Sequence, residues 1–318
     1  MRLLITDNIA KNAIEMLKEN FDVELKIGLS EEELISIIPS YEIIIVRSSI
    51  RLTDRVISAG KSLKIIARPG VGVDNIDTKS ATKNCIVVIN TPLGNINAAA
   101  ELTISMILSL ARSVHNANFS LRIQKQWERK KFLGVELRDK TLGIIGFGHV
   151  GRIVARIARK GLLMNVIAYD SADKRFEAEE LDVRLVSIDE IFVNSDFISV
   201  HVPLIEQTKN MIGEREFDKM KNGVFIVNAA RGGIINESAL YNALKTGKVS
   251  GAGIDVWEKE PCTDSKLLEL ENVLALPHIG ASTTEAQENV AIDIAKQIIL
   301  AVENGKVENS VNGVLVLR

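Results

Sequence analysis

Short runs rich in Ile, Leu and Val alternate along the chain with amphipathic stretches, a pattern that predicts strands and helices taking turns. In the first ninety residues the apolar runs fall at 3–6, 22–25, 42–46, 63–67 and 86–89. Helical patterns separate them near 8–20, 30–38 and 53–59, with a short turn near 75–82. Five strands joined by helices predict a compact parallel α/β layer. The segment Thr91-Pro92-Leu93-Gly94-Asn95 breaks the rhythm, and a long helix is expected from about Asn97 to Gln126. Its apolar residues lie on several faces (Ala99, Leu102, Met106 and Leu110, but also Ile104, Ile107, Leu108 and Ala111), so it is expected to be buried between domains or against another subunit. Strands then resume at 142–145, 164–169, 183–186, 196–203, 223–230, 250–256 and 272–277, about seven in all. A last helix is predicted to start at a capping box formed by Ser282 and Glu285. It carries Ala286, Val290, Ile294 and Ile298 at four-residue spacing and stops near Asn304-Gly305. Its length allows the tail at 309–318 to finish on the first layer.

The two layers predict two doubly wound parallel-sheet domains with a reaction cleft between them: residues 1–95 plus 290–318, and residues 96–289. The second begins with a strand that runs directly into Gly146-Phe147-Gly148-His149-Val150-Gly151 and then into a helical pattern. In a strand–turn–helix of this kind Gly146 allows the turn, Gly148 lets a pyrophosphate approach the backbone, and Gly151 lets the helix pack close to the strand. Free N–H groups at the helix start can bind phosphate. The next strand ends in Asp170, nineteen residues after Gly151, where a carboxylate can accept ribose hydroxyls and repel a 2′-phosphate. The expected cofactor is therefore NAD rather than NADP, although Lys174 and Arg175 nearby weaken the preference.

Charge narrows the partners. A formal net charge of −2 gives no global attraction to nucleic acid or to an anionic membrane, so an anionic substrate must be attracted locally. The two cysteines, Cys85 and Cys262, have no partner at metal-ligand or redox spacing, so free thiols and no metal are expected. The first residues are polar too soon for a signal peptide, and no apolar run reaches membrane-spanning length; a cytoplasmic protein is expected.

Chemistry is expected where strands end. Arg231 follows the run at 223–230, Glu260 follows 250–256, and His278 follows 272–277. Arg231 can grip a carboxylate with two parallel hydrogen bonds. His278 can exchange a proton near neutrality, and Glu260, by bonding the other imidazole nitrogen, would fix the tautomer and favour the protonated form. Singly, each is more often a surface or core residue; the set, beside a dinucleotide turn, predicts alcohol–ketone interconversion with hydride transfer.

These residues resemble the D-isomer-specific 2-hydroxyacid dehydrogenases, and among them the 3-phosphoglycerate dehydrogenases. The resemblance rests on Val46-Arg47-Ser48, the stretch from Arg68 to Asn75, Asn90-Thr91-Pro92, the stretch from Ala99 to Thr103, the stretch from Trp127 to Phe132, the glycine turn, the stretch from Asn228 to Gly233, and the stretch from Pro277 to Ser282. It implies a flavodoxin-like substrate domain that the C-terminal tail rejoins, and a Rossmann NAD domain. It implies catalytic roles for Arg231, Glu260 and His278. Cofactor contacts are implied at Val71, Gly146, Gly148, His149, Val150, Gly151, Asp170, Val202, Ala229, Ala230, Arg231, Asp255, His278, Gly280 and Ala281. Substrate contacts are implied at Arg47, Ser48, Val71, Gly72, Arg231 and His278. Val71 and Val202 stand where relatives often have Thr. A homodimer or higher homo-oligomer through the long helix is implied, with Lys131 in the Arg129-Lys130-Lys131 cluster reaching a phosphate across it. The implied reaction is NAD-dependent oxidation of 3-phospho-D-glycerate to 3-phosphohydroxypyruvate, the first step of serine biosynthesis. The sequence ends without the C-terminal regulatory domain many such enzymes carry, so no serine feedback by that route is expected. A glyoxylate or hydroxypyruvate reductase, or another D-2-hydroxyacid dehydrogenase, is the alternative; an NAD(H)-sensing interaction protein is a remote one.

Overall fold

The computed structural model describes residues 1–305 and 307–315; position 306 and the last three positions of the tail, within the predicted 309–318 segment, lie outside the described residues. Two compact units are present: Met1–Ile96 with Ala281–Arg318, and Asn97–Gly280. The chain thus returns to the first unit at Ala281, just after the last strand of the second.

Unit 1 is a parallel sheet of β1 (Arg2–Ile5), β2 (Asp22–Leu25), β3 (Ile43–Ile45), β4 (Ile65–Arg68) and β5 (Val87–Asn90), in the order β2-β1-β3-β4-β5. Side chains alternate between two covered faces. Leu3, Ile5, Ile43, Ile45, Ile65, Val87 and Ile89 pack with Leu17, Ile294 and Ile298. Leu4, Ile44, Ile66 and Val88 pack with Leu34, Ile38 and Val56 on the other side. Covering on both faces is why these strands read as nearly unbroken apolar runs. Each fully buried Leu or Ile contributes about 1.5–3 kcal/mol of transfer free energy.

The helix Thr284–Asn304 belongs to this unit. Its N-cap is Thr283, which accepts from the Ala286 amide at 3.1 Å, rather than the expected box of Ser282 and Glu285. The helix ends on Gly305 at φ +67°, a left-handed cap. The returning tail lies along β5. Ser310 bridges Ile89 in antiparallel fashion, the Val311 amide donates to Val88 O at 2.8 Å, and Asn312 bonds Val88 N (3.1 Å), Ile86 O (2.9 Å) and Thr82 Oγ1 (3.0 Å).

Unit 2 is a parallel sheet of seven strands: β6 (Thr141–Ile145), β7 (Asn165–Tyr169), β8 (Arg184–Leu185), β9 (Phe197–Val200), β10 (Val224–Asn228), β11 (Val249–Ile254) and β12 (Val273–Ala275). The order is β12-β11-β10-β9-β6-β7-β8, the doubly wound arrangement in which the winding reverses between β6 and β9.

The expected helix from 97 to 126 is interrupted. A helix Ile96–Ala111 ends at Ser113, which is left-handed at φ +48°; a short helix Val114–Phe119, a π turn Ser120–Gln124 and a 3-10 turn Arg129–Phe132 follow. The Ala111 carbonyl accepts from the Val135 amide at 2.8 Å, and Gly134 lies so close that a Cβ there would sit 2.3 Å from that oxygen. A tertiary contact, with no Gly or Pro as signal, stops the helix. Met106 and Leu110 rest on Gly251 and Gly253 of β11, so this helix is buried on unit 2's own sheet. Among the described residues no helix is long and apolar enough to cross a membrane.

Candidate active site

The glycine turn occupies the point where the winding of unit 2 reverses. Gly146, at φ +98°, passes so close to the end of β9 that a Cβ would lie 2.7 Å from the His201 backbone and 2.9 Å from Val202 Cγ1. A Cβ on Gly151 would lie 2.1 Å from the Gly146 carbonyl oxygen, so only glycine lets the helix His149–Gly161 approach β6. Gly148 is the N-cap; no side chain caps the first amides, and space is open on its Cβ side. His149 and Val150 open the helix, whose N–H groups and dipole there can hold a phosphate. Next to β9, His201 is held neutral: burial pushes its imidazole down to about 4.

Asp170 ends β7 with one carboxylate oxygen accepting from the Phe147 amide at 2.7 Å and the other from the Ala172 amide at 2.9 Å. The carboxylate is thereby fixed against the glycine turn. Lys174 and Arg175, which weakened the NAD preference, are both engaged locally. Lys174 pairs with Glu177 at 3.3 Å, and Arg175 chelates Asp173, pulling that carboxyl down to about 2.

Three loops after β10, β11 and β12 carry the expected trio. The turn after β10 is shaped by Asn228, which is buried, donates to Arg231 O at 2.8 Å and accepts from the Ala230 amide at 3.0 Å. Asn228 opens one of the stretches that carry the resemblance, but no role was assigned to it; an Asn closing an apolar strand is the signal for one. The Arg231 Nη1 donates to Ala230 O at 2.6 Å. Gly232 touches the neighbouring loop so tightly that a Cβ would lie 1.8 Å from Trp257 O, which brings the Arg231 turn onto the segment leading to Glu260.

Glu260 uses one oxygen to accept from the Trp257 amide at 3.0 Å and the other to bond His278 Nδ1 at 2.7 Å. That bond raises the His278 imidazole above its ordinary value, against the opposing effect of burial. Burial would raise Glu260, but the hydrogen bonds from His278 and the Trp257 amide, with the charges of His278 and Arg231, bring its carboxyl below the usual range. With Nδ1 engaged, Nε2 is the nitrogen that can exchange a proton with a ligand. His278 itself has φ +56°, a left-handed backbone that is uncommon outside glycine. Asp255 holds that conformation: fully buried, it accepts from the Ile279 amide at 2.7 Å and the Gly280 amide at 2.8 Å. Burial, partly offset by these amides, raises its carboxyl. Trp257 Nε1 donates to Leu276 O at 2.9 Å, tying the same two loops together.

The remaining expected residues are placed as follows. Ala229 and Ala230 lie on the Arg231 turn, and the Ala281 carbonyl accepts from Gln287 in unit 1. Arg47 and Ser48 follow β3, and Val71 and Gly72 follow β4, also in unit 1. Lys131 pairs with Glu271 at 3.7 Å and lies 5.9 Å from the Phe132 ring centre, within its own unit.

Residues 104–280 match the family described as D-isomer specific 2-hydroxyacid dehydrogenase, NAD binding domain, a segment that contains the glycine turn and all of Arg231, Glu260 and His278. The chain is 49% identical over 314 residues to the D-3-phosphoglycerate dehydrogenase of Archaeoglobus fulgidus, covering 98% of this chain but 59% of that protein. It is 46% identical over 301 residues to the hydroxypyruvate reductase of Thermotoga maritima, covering 93% of this chain and 97% of that one.

The chain belongs to the D-isomer-specific 2-hydroxyacid dehydrogenase family. Among solved structures in keeping with this, the glyoxylate reductase from Paecilomyes thermophila superposes with a TM-score of 0.89 at 34% identity, covering 98% of this chain and 97% of that one. NAD is the cofactor of the family's matched domain, and unit 2 fits it: a helix start without a side-chain cap, a glycine with open space beside it, and a fixed carboxylate at the end of β7. The chain spans little more than half the length of its phosphoglycerate dehydrogenase relatives, between 53% and 59% for the first three.

Proposed function

We propose that this 2-hydroxyacid dehydrogenase oxidises 3-phospho-D-glycerate to 3-phosphohydroxypyruvate with NAD, the first step of serine biosynthesis. The observation that carries the chemistry is the 2.7 Å bond between Glu260 and His278 Nδ1 beside Arg231. Bound NAD supplies a hydride acceptor. His278 Nε2 takes the proton of the substrate hydroxyl in oxidation and returns it in reduction. Glu260 holds the ring in one tautomer and stabilises the imidazolium that forms. Arg231 grips the substrate carboxylate with paired hydrogen bonds and polarises the adjacent oxygen. Gly146, Gly148, His149, Val150 and Gly151 seat the pyrophosphate, Asp170 the ribose, and Ala229, Ala230, Gly280 and Ala281 the nicotinamide side. Arg47, Ser48, Val71 and Gly72 receive the rest of the substrate, with Arg47 and Lys131 as cations for its phosphate. The phosphoglycerate dehydrogenase relatives support the phosphorylated substrate.

A second reading, a hydroxypyruvate reductase, is favoured by the Thermotoga relative, which the chain spans almost entirely. The two are separated by kcat/KM for NADH-dependent reduction of phosphohydroxypyruvate, hydroxypyruvate and glyoxylate. The phosphorylated acid should be used best; equal or better turnover of either unphosphorylated acid rejects the first reading. Replacing His278 with Asn should abolish turnover while NAD binding persists. We further read the chain as a cytoplasmic homodimer. Phe119, Leu121, Ile123 and Trp127 are all more than half exposed on the segment after Ser113, a surface a second copy would cover.

A further inference from the structure

We propose that Asn75 is the positioning residue of the substrate cradle in unit 1, although it is not itself one of the residues assigned to ligand. The inference rests on the reading above, in which Arg47 and Ser48 meet the substrate. In the order β2-β1-β3-β4-β5 the winding reverses between β1 and β3, and ligands of such sheets bind beyond the carboxyl ends of the strands at that reversal. The loop after β3 carries Arg47 and Ser48, and it is held from both sides. Its N–H groups go to Asp7, just beyond β1: Arg47 N at 2.8 Å and Ser49 N at 3.2 Å, with Ser49 Oγ at 2.6 Å. Its carbonyls go to Asn75, whose Nδ2 donates to Arg47 O at 2.6 Å and to Ile50 O at 2.7 Å.

Both protons of the Asn75 amide are therefore spent on one loop. Its oxygen accepts from Arg68 Nε at 3.0 Å, at the end of β4 where the loop to Val71 and Gly72 begins. Arg68 lies against Gly70, where a Cβ would be 3.0 Å from Nη1. The far side of that loop is fixed from β5 and just beyond it, by Thr91 Oγ1 accepting from Gly70 N (2.7 Å) and Asn90 Nδ2 donating to Val71 O (2.5 Å). Asn75 is thus the bolt between the Arg47 loop and the Val71 loop. Few side chains can donate twice and accept once in this span: Asp offers no donor, Ser offers only one, and Ala leaves two part-buried carbonyls without their partner.

The test is steady-state reduction of phosphohydroxypyruvate by the full chain carrying Asn75→Ala, Asn75→Asp, Arg47→Ala, and Arg47→Ala combined with Asn75→Asp. NADH dissociation constants are read by fluorescence. Loosening the loop should raise KM for the keto acid on the order of tenfold or more, with kcat and the NADH constant little changed. In the Arg47→Ala background the Asn75 change should add little, because the group being positioned is gone. Asn75→Asp keeps the Arg68 bond and carries the test if Asn75→Ala does not fold. An unchanged KM overturns the proposal, as does a parallel loss of NADH binding and kcat, which would mark a general structural role. If Arg47→Ala leaves KM untouched while Asn75→Asp raises it, the assignment of Arg47 to substrate fails and the positioning role stands.

Discussion

Glu260 is the main source of both the ring orientation and the proton affinity of His278. Oxidation needs the imidazole neutral and reduction needs it charged, so oxidative kcat/KM should rise with pH through the raised His278 value and reductive kcat/KM should fall through it. Glu260→Gln removes the negative charge but leaves an oxygen that can bond Nδ1. The imidazolium then loses its main stabilisation, so both inflections should move to lower pH; pH–rate profiles of the two proteins check this, and an unshifted inflection counts against Glu260 as the partner. Arg231, Glu260 and His278 were legible in the sequence because each follows an apolar run within a few residues, and parallel strands all end at the same side of a sheet. Asp7 and Asn75 were not legible in those roles. They bond groups of other loops, up to 42 residues away in the case of Asp7 and Ser49, and no local pattern announces such a bond. Asn228 is the local case: its bonds stay within its own turn, where an Asn closing an apolar strand is the signal.

Among the elements, the strand–turn–helix from β6 to Gly161 is the most constrained. Gly151→Ala would force a carbon to within 2.1 Å of the Gly146 oxygen, and the obstacle is backbone. The helix must retreat from β6 and carry its N-terminus away from the phosphate position. We expect at least a tenfold weaker NAD dissociation constant by titration calorimetry, and stability lowered by about 1–3 kcal/mol in urea unfolding. The glycine pattern made this element readable in advance. The helix ending at Ala111 shows the opposite case: apolar periodicity continues past the break, and what ends the helix is the Val135 amide, 24 positions later. The start of the Thr284–Asn304 helix differs by one residue from the expected one because Ser282 and Thr283 are both good caps by type.

On the scale of the whole molecule, five and seven parallel strands were both foreseeable, since buried parallel strands advertise themselves as apolar runs. What the sequence could not supply is which loops touch. Charge also acts at this scale. A chain of net charge −2 does not draw in an anion by its overall field, so the proposed recognition of a phosphorylated acid would rest on a few cations at short range. Screening shortens from about 10 Å at 0.1 M salt to about 3 Å at 1 M. Raising salt over that interval should therefore increase KM for phosphohydroxypyruvate more than KM for hydroxypyruvate; parallel changes would argue that no dedicated phosphate contact exists.

The segment around Ser310 has a consequence for colloidal behaviour. A bare outermost strand invites a foreign strand to dock and propagate the sheet from molecule to molecule. In unit 1 that rim at β5 is occupied by the protein's own backbone and by the amide of Asn312, while the opposite rim, β2, presents Asp22 and Glu24. One border is shut by the chain's own tail, and the other is lined by charged side chains, Asp22 and Glu24 being paired with Arg2 and Lys26. Shortening the polypeptide before Ser310 would therefore reopen a sticky margin far from any chemistry, and its first symptom would be turbidity rather than lost turnover.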